Sequence, residues 1–140
     1  MKWYRIISLI GFIFILNLAW LFLSSSLYVY SLDFDITQHL WISSFAGTGL
    51  ILGILLAISL GHRNLTWIDQ PKPIDYLVII AMSLFTSLRI ELYALTAGSW
   101  FYSRFMPKIL GIGLVPLIQL ASTTILSLII VRKLNPTSQA

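Results

Sequence analysis

The sequence predicts an all-α integral membrane protein, a bundle of four transmembrane helices with both termini in the cytoplasm. Of the 140 residues, 58% are hydrophobic and 10% are charged, whereas about a quarter are charged in a soluble domain. The mean hydropathy is +0.89. Four apolar runs of about 20 residues, the length that spans a bilayer, alternate with short polar segments. We therefore expect one transmembrane domain over residues 1–140, with the lipid bilayer covering its outer surface.

The first run covers residues 6–27 and follows two basic residues, Lys2 and Arg5. A cleaved signal peptide has a similar charge pattern, but its apolar region is only about 7 to 15 residues long. The run in this chain is longer and is sufficient to span a membrane. We therefore interpret it as an uncleaved transmembrane helix.

The other three runs cover residues 40–60, 76–97 and 109–131, and only the run at 76–97 contains charged side chains. Backbone amides inside the hydrocarbon need partners within their own segment, which favours helices. The last run contains Pro116, and proline removes a backbone hydrogen bond and clashes with the preceding turn. We expect a bend at Pro116 that serves packing rather than a hinge.

The distribution of basic residues predicts the orientation. With a cytoplasmic amino terminus, the outer side carries only Arg104 and Lys108. The cytoplasmic side then carries six basic residues: Lys2, Arg5, Arg63, Lys72, Arg132 and Lys133. Cytoplasmic loops of membrane proteins have an excess of Lys and Arg. Both termini are therefore expected inside, in a plasma or inner membrane.

Small residues recur every fourth position in the second run, at Gly49, Gly53, Ala57 and Gly61. This spacing places them on one helix face, where a neighbouring backbone can approach closely. The stripe predicts a helix-packing face. It fits either a contact within the chain, which we favour, or an oligomer interface.

Two charges in the third run, Arg89 and Glu91, need a physical explanation. A charged side chain at the bilayer centre costs about 2.5 to 3.5 kcal/mol on the insertion scale. Residues two apart on a helix point about 200° from each other, so these two cannot pair with each other. Their position predicts that both lie in the outer leaflet.

Two interpretations of this pair stay open. One is a structural interhelical salt bridge, with Arg89 reaching the surface, and this is the one we favour. The other is a ligand or ion pocket that opens to the outer side around Arg89 and Glu91. Candidate partners on that side are Asp33, Asp35 and His39 for one sign of charge, and Arg104 and Lys108 for the other.

Uncharged polar and aromatic residues have structural interpretations. Asn17 and Gln119 need hydrogen-bond partners in lipid and are expected to bond across helices. Aromatic residues at the ends of the runs are typical of anchors at the membrane interface, with no ligand assigned to them. They are Trp3, Tyr4, Tyr28, Tyr30, Trp41, Trp67, Tyr76, Trp100, Phe101 and Tyr102.

The sequence lacks the residues or residue patterns that several classes of function require. Cysteine is absent, which removes disulfides, thiolate metal sites and cysteine nucleophiles. His39 and His62 lie at opposite ends of the second helix, about 34 Å apart, too far to share a metal. The basic residues are scattered, so a nucleic-acid partner is not expected. We predict no metal, no cofactor and no enzymatic activity.

The stretch from Pro73 to Tyr93 resembles the third helix of the phosphate-starvation-inducible E family. A proline turn leads into Tyr76-Leu-Val-Ile-Ile-Ala-Met, with Arg89 near the far end. The chain length and the four-span layout are also similar to that family, whereas the loop 98–108 departs from it. The resemblance covers about one helix of four and implies no catalytic residues.

These patterns favour a non-enzymatic membrane protein that acts by assembly. It would be an accessory or scaffold subunit of a membrane complex, or a homo-oligomer, with other membrane subunits or itself as partner. The alternative is a small channel or transporter with a polar site around Arg89 and Glu91. A lipid-modifying enzyme is the least favoured hypothesis.

Overall fold

The computed structural model describes residues 3–30, 35–134 and 136. Four long helices dominate this part of the chain: α1 (Trp3–Ser24), α2 (Ile36–His62), α3 (Pro73–Ala97) and α4 (Leu114–Leu134). Each is long and apolar enough to cross a membrane. The helical class and the four predicted helices are therefore confirmed.

The start of the fourth helix differs from the prediction. Residues 109–113 are not helical, because β3 (Lys108–Ile109) and β4 (Ile112–Gly113) pair as an antiparallel hairpin. The two turn residues, Leu110 and Gly111, have φ values of 51° and 83°. Positive φ at both central residues is typical of a type I′ hairpin turn. The side chain of Leu110, at the hairpin tip, is 99% exposed.

Pro116 does not bend α4, so the predicted kink is wrong. The helix begins at Leu114, which places Pro116 in its first turn. Backbone N–H groups in the first turn have no partner within the helix, so proline costs no hydrogen bond there. Pro116 therefore helps to start the helix.

The other helix ends follow local chemistry. The Asp35 side chain caps α2 by accepting a hydrogen bond from the Gln38 backbone N–H at 3.1 Å. Arg63, directly after α2, adopts the left-handed conformation, and Gly98 does the same directly after α3. Left-handed residues are common helix terminators because they redirect the chain.

The helices pack in a ring in which α1 lies between α2 and α4, and α3 lies on α4. Helices α2 and α3 close the ring with a less extensive contact. The core contains buried aliphatic side chains from every helix, among them Leu9, Ile13, Ile51, Ile79 and Leu128. The bundle is thus least tightly joined at the seam between α2 and α3.

The predicted bond between polar residues of different helices is confirmed. Gln119 Nε2 of α4 donates to Asn17 Oδ1 of α1 at 3.2 Å. Asn17 is fully buried, and a Cβ on Gly47 of α2 would lie 3.4 Å from it. Gly47 therefore lets α2 approach the polar pair closely.

The two ends of the bundle are held by different contacts. We call one end of the bundle the terminal end; it contains the first turn of α1, the last turn of α4 and the α2–α3 connection. There Arg5 Nη1 lies 2.6 Å from Asp69 Oδ1. At the opposite loop end, β1 (Tyr28–Val29) pairs antiparallel with β2 (Phe101–Tyr102). This ribbon joins the α1–α2 and α3–α4 connections.

A second polar cluster orders the terminal end. His62 Nε2 lies 2.7 Å from Asp75 Oδ1, and the His62 ring stacks on Trp67 at 5.6 Å. Trp67 Nε1 donates to Ser59 Oγ at 2.8 Å. Trp67 is buried, so its predicted role as an interface anchor is wrong.

The small-residue stripe of α2 lies on the outside of the bundle. All four of its residues, Gly49, Gly53, Ala57 and Gly61, are exposed. A Cβ added at any of the three glycines would meet nothing within 4 Å in the described part of the chain. The favoured packing contact within the chain is therefore wrong, because the helix turns this face away from its neighbours.

Candidate ligand site at the loop end

A cavity of about 150 Å³ lies inside the loop end of the bundle. All four helices contribute to its lining, with most residues coming from α2 and α3. Tyr28, Tyr30 and Trp100 of the connections line it as well. The cavity therefore forms only when both connections and the four helices come together.

Glu91 is the acidic group of this cavity. Its side chain is buried, with 4% of the residue surface exposed. Oε2 accepts hydrogen bonds from Trp100 Nε1 at 3.3 Å and from the Tyr102 hydroxyl at 2.5 Å. Within residues 3–30 and 35–134, Oε1 accepts no hydrogen bond, and no basic side chain forms an ion pair with Glu91. Glu91 is thus a buried carboxyl group whose Oε2 accepts two hydrogen bonds, while Oε1 has no donor among the residues that the structure describes.

The β1–β2 ribbon brings aromatic rings to Glu91. Its register places Tyr28 opposite Tyr102, and the two ring centroids are 6.0 Å apart. Tyr28 meets Trp100 edge to face at 6.1 Å, and the His39 ring lies 5.7 Å from Trp100 and 5.5 Å from Tyr30. We call these five residues, Tyr28, Tyr30, His39, Trp100 and Tyr102, the aromatic cluster.

The tyrosines of this cluster keep their hydroxyl protons at physiological pH. Burial, together with the nearby Glu91 charge, raises the pKa of Tyr30 to about 12. Burial and then Glu91 also raise the pKa values of Tyr28 and Tyr102 well above their usual range. Neutral phenols are hydrogen-bond donors, which explains why Tyr102 donates to Glu91.

Two serines add polar atoms to the lining. Ser87 lines the cavity from α3, its residue surface is 4% exposed, and its Oγ has no hydrogen-bond partner in the described part of the chain. The Ser43 Oγ lies 3.4 Å from His39 Nε2 and 3.5 Å from Nδ1. Nearly equal distances place the hydroxyl beside the ring rather than in line with one nitrogen. This is not the geometry by which a base activates a serine nucleophile.

The cavity opens on the bundle surface at the seam between α2 and α3. Ala46 and Leu50 of α2 and Ile90 of α3 line the cavity and are also exposed. The deeper walls include Leu21 and Leu120. A polar head region around Glu91 is thus continuous with an apolar opening on the side of the bundle.

Only part of the predicted site lies at this cavity. Glu91 is buried in it whereas Arg89 is exposed, so the prediction that the two side chains face different directions is confirmed. His39 lines the cavity. Arg89 does not line it, which corrects the expectation that the pocket is built around both charges.

The remaining candidates have other roles or lie elsewhere. Asp35 caps α2, and Asp33 lies outside the described residues. The Arg104 guanidinium lies over the ring of Phe105 at 4.7 Å, and Lys108 Nζ lies 6.0 Å from the Tyr102 ring centroid. The structural salt bridge favoured for Glu91 is therefore not formed by the basic residues of the α3–α4 connection.

The aromatic contribution to the site is not evident from the sequence. Tyr28, Tyr30, Trp100 and Tyr102 have the positions expected of interface anchors, yet they surround the carboxyl group. The available signal was that aromatic residues occur in both connections at the loop end. Their register across the ribbon depends on a pairing that helical periodicity does not encode.

In comparisons with known proteins, no family model, no curated protein and no solved structure matches this chain. The resemblance of its third helix to the phosphate-starvation-inducible E family stays a prediction. The fold and the site define a class, a helical protein of four apolar helices with an acidic, aromatic-lined cavity at one end. The function is therefore argued from the chemistry of that cavity.

Proposed function

We propose that this chain is a multi-pass protein of the plasma or inner membrane that binds a small ligand in the loop-end cavity, as the binding step of transport. The observation that carries this proposal is Glu91, a buried carboxyl group that faces a cavity without a basic partner among the described residues. Ionisable residues within membrane spans are costly and commonly mark substrate or ion pathways.

The hydrogen bonds around Glu91 support binding rather than a purely structural role. A structural carboxylate in lipid is normally paired, since an unpaired buried charge is strongly unfavourable. Here Trp100 and Tyr102 both donate hydrogen bonds to Oε2, and Oε1 accepts no hydrogen bond from the described residues. The unpartnered Ser87 hydroxyl belongs to the same lining. A ligand that contacts Glu91 Oε1 and the Ser87 hydroxyl would give each of these groups a partner.

The charge distribution supports an outward-facing cavity. The terminal end carries the basic residues that favour the cytoplasmic side, and the cavity lies at the opposite end. The chain has no cysteine, so single introduced cysteines report position without background. In intact cells, a membrane-impermeant thiol reagent should label Ser99→Cys but not Gln70→Cys. Labelling of the second position alone would reverse the orientation.

The same method tests the cavity. Ala46 lines it, whereas Gly49, one turn away on the same helix, is exposed but lies outside the lining. We expect a small hydrophilic thiol reagent to modify Ala46→Cys much faster than Gly49→Cys, because water reaches the cavity and lipid covers the control position. Equal, slow modification of both positions would contradict a water-accessible binding site.

A second candidate function is assembly as an accessory subunit or homo-oligomer. The exposure of the small-residue stripe favours it, since a second chain is needed to cover that face closely. We expect Gly53→Leu to reduce the mass of the particle purified in mild detergent. Gly11→Leu is the matched control, because a Cβ at Gly11 also meets no described atom within 4 Å. A particle whose mass is the same for both variants would remove this candidate.

A further inference from the structure

We infer that the ligand of the loop-end cavity is an organic cation, an amine or quaternary ammonium group that carries an apolar substituent. This inference rests on the proposed function and specifies the chemistry of its ligand. It follows from the charge of the lining, the arrangement of the rings, the size of the cavity and the position of its opening.

The charge of the lining selects against anions. Among the described residues that line the cavity, Glu91 is the carboxylate and none is Lys or Arg. The two basic residues of the α3–α4 connection, Arg104 and Lys108, lie against aromatic rings. A positive group in the cavity would therefore find Glu91 Oε1 without competition from a protein cation in the described chain.

The aromatic cluster adds a second attraction for positive charge. Rings of Tyr28, Tyr30 and Trp100 line the same cavity as Glu91. The faces of aromatic rings attract cations, and aromatic cages are a common way of binding quaternary ammonium groups. The attraction of each ring is strongest when the cation is desolvated.

A metal ion fits this lining less well than an organic cation. Hard divalent cations take six or more oxygen ligands and commonly several carboxylates. The described lining offers one carboxylate, the hydroxyls of serines and tyrosines, the His39 ring and the Gln119 amide, among mostly apolar surface. Its volume of about 150 Å³ is comparable to a protein cavity that holds benzene. That is enough for a trimethylammonium group.

The opening of the cavity accounts for the apolar substituent. Leu50 and Ile90 form the part of the opening at the α2–α3 seam where lipid would lie, whereas Ala46 lies one turn of α2 nearer the loop end. A cation held at Glu91 can direct an apolar group through this opening without exposing it to water. Both a free amphiphilic cation and the ammonium headgroup of a lipid have this chemistry.

Charge-selective modification of Ala46→Cys tests the inference. The reagents are the trimethylammonium-ethyl and the sulfonato-ethyl methanethiosulfonates, which differ mainly in the sign of their charge. Relative to the loop position Ser99→Cys, we expect the cationic reagent to react about tenfold or more faster than the anionic one at Ala46→Cys, because a charge near Glu91 is attracted or repelled by its field. Glu91→Gln should remove this preference, since the amide keeps an oxygen for Trp100 and Tyr102 but carries no charge.

The outcomes separate the two proposals. Equal rates for the two reagents, with no effect of Glu91→Gln, would overturn the cation inference and leave the accessible cavity intact. No reaction with either reagent would contradict the proposed binding function itself. Ser43→Cys provides a second lining position, nearer the loop end of α2, if Ala46→Cys does not fold.

Binding of benzyltrimethylammonium distinguishes the sources of the cation. We expect it to protect Ala46→Cys from modification in nanodiscs of phosphatidylglycerol, and Glu91→Gln to weaken this protection about 30-fold or more. Adding phosphatidylcholine to the nanodiscs should weaken protection if a lipid headgroup is the natural occupant, and leave it unchanged if a free cation is. No protection at any concentration up to the solubility of the probe would refute the inference.

Discussion

The close approach of Gly113 to Tyr102 yields a quantitative prediction for Gly113→Ala. A Cβ at position 113 would lie 2.9 Å from Tyr102 Cε1, 3.0 Å from Tyr102 Cζ and 3.1 Å from Met106 Sδ. Carbon atoms in good contact are about 3.5 to 4.0 Å apart, so the tyrosine ring must move by roughly 0.6 Å or more. The same ring holds the hydroxyl that donates to Glu91.

We expect Gly113→Ala to lower the free energy of unfolding by about 1 to 3 kcal/mol, the usual cost of overpacking. Gly113 is not among the glycines with positive φ, so alanine brings no backbone strain and the clash alone produces the effect. The assay is titration of the purified protein with a denaturing detergent. Gly49→Ala is the control, because its added Cβ meets nothing within 4 Å, and it should be neutral or stabilising by up to about 1 kcal/mol.

A double-mutant cycle isolates the cause. Tyr102→Leu removes the ring atoms that clash, so Gly113→Ala should cost less in that background than in the wild type. Met106 does not prevent this relief, because a thioether side chain adapts readily. If Gly113→Ala is as stable as the wild type, or costs the same in both backgrounds, the packing argument is refuted.

Three further predictions concern polar groups elsewhere. Asp75→Ala should lower the free energy of unfolding by about 2 kcal/mol, because Asp75 contacts His62 and the Lys72 backbone N–H; an unchanged detergent midpoint would show that these bonds contribute nothing. Gln119→Leu should cost about 0.6 to 1.7 kcal/mol by leaving its partner without a hydrogen bond, and removing both amides together should restore much of that loss. The pKa of Tyr30 is about 12 in the folded protein and about 10 in an unfolded chain. Between pH about 10 and about 12, Tyr30 therefore keeps its proton only in the folded protein. Stability should therefore fall as pH rises from about 10 to about 12, and a Tyr30→Phe variant with the same decline would exclude this cause.

Helical geometry and hydropathy predict much of this structure from sequence. The separation of Arg89 from Glu91 follows from two steps of about 100° along a helix. The bond between Asn17 and Gln119 follows from the need of polar groups for partners in lipid. Both are consequences of local geometry or of the solvent, so the sequence is sufficient for them.

The start of α4 was not predictable by the same reasoning. All residues from Ile109 to Val115 are apolar or glycine, and hydropathy does not distinguish an apolar hairpin from an apolar helix. The turn needs Leu110 at positive φ, which few non-glycine residues adopt. The pairing of β4 with β3, rather than the composition of this stretch, decides where α4 begins.

The small-residue stripe shows a related limit. Periodicity establishes that Gly49, Gly53 and Gly61 share a face, but not which direction that face takes. The bundle instead turns Gly47 inward, against Asn17. The orientation of α2 is therefore set by its polar and aliphatic contacts with α1, which are tertiary information.

The site itself depends on contacts between distant segments. Glu91 stands out in the sequence because a charge is costly in a long apolar helix, which is a local property. Its surroundings are not local, because Tyr28 reaches it through a strand pairing with Tyr102. Single-sequence reasoning can thus identify the charged centre of such a site but not the rings that enclose it.

The bond between Asn17 and Gln119 has a consequence for biogenesis. Its two partners lie 102 positions apart, so in the proposed membrane topology α1 would enter the bilayer long before Gln119, the donor to the Asn17 carbonyl oxygen, has been translated. A nascent protein that stops before α4 would leave that oxygen without its donor in the hydrocarbon. The insertion machinery would then be able to recognise an unfinished chain by this unpaired oxygen.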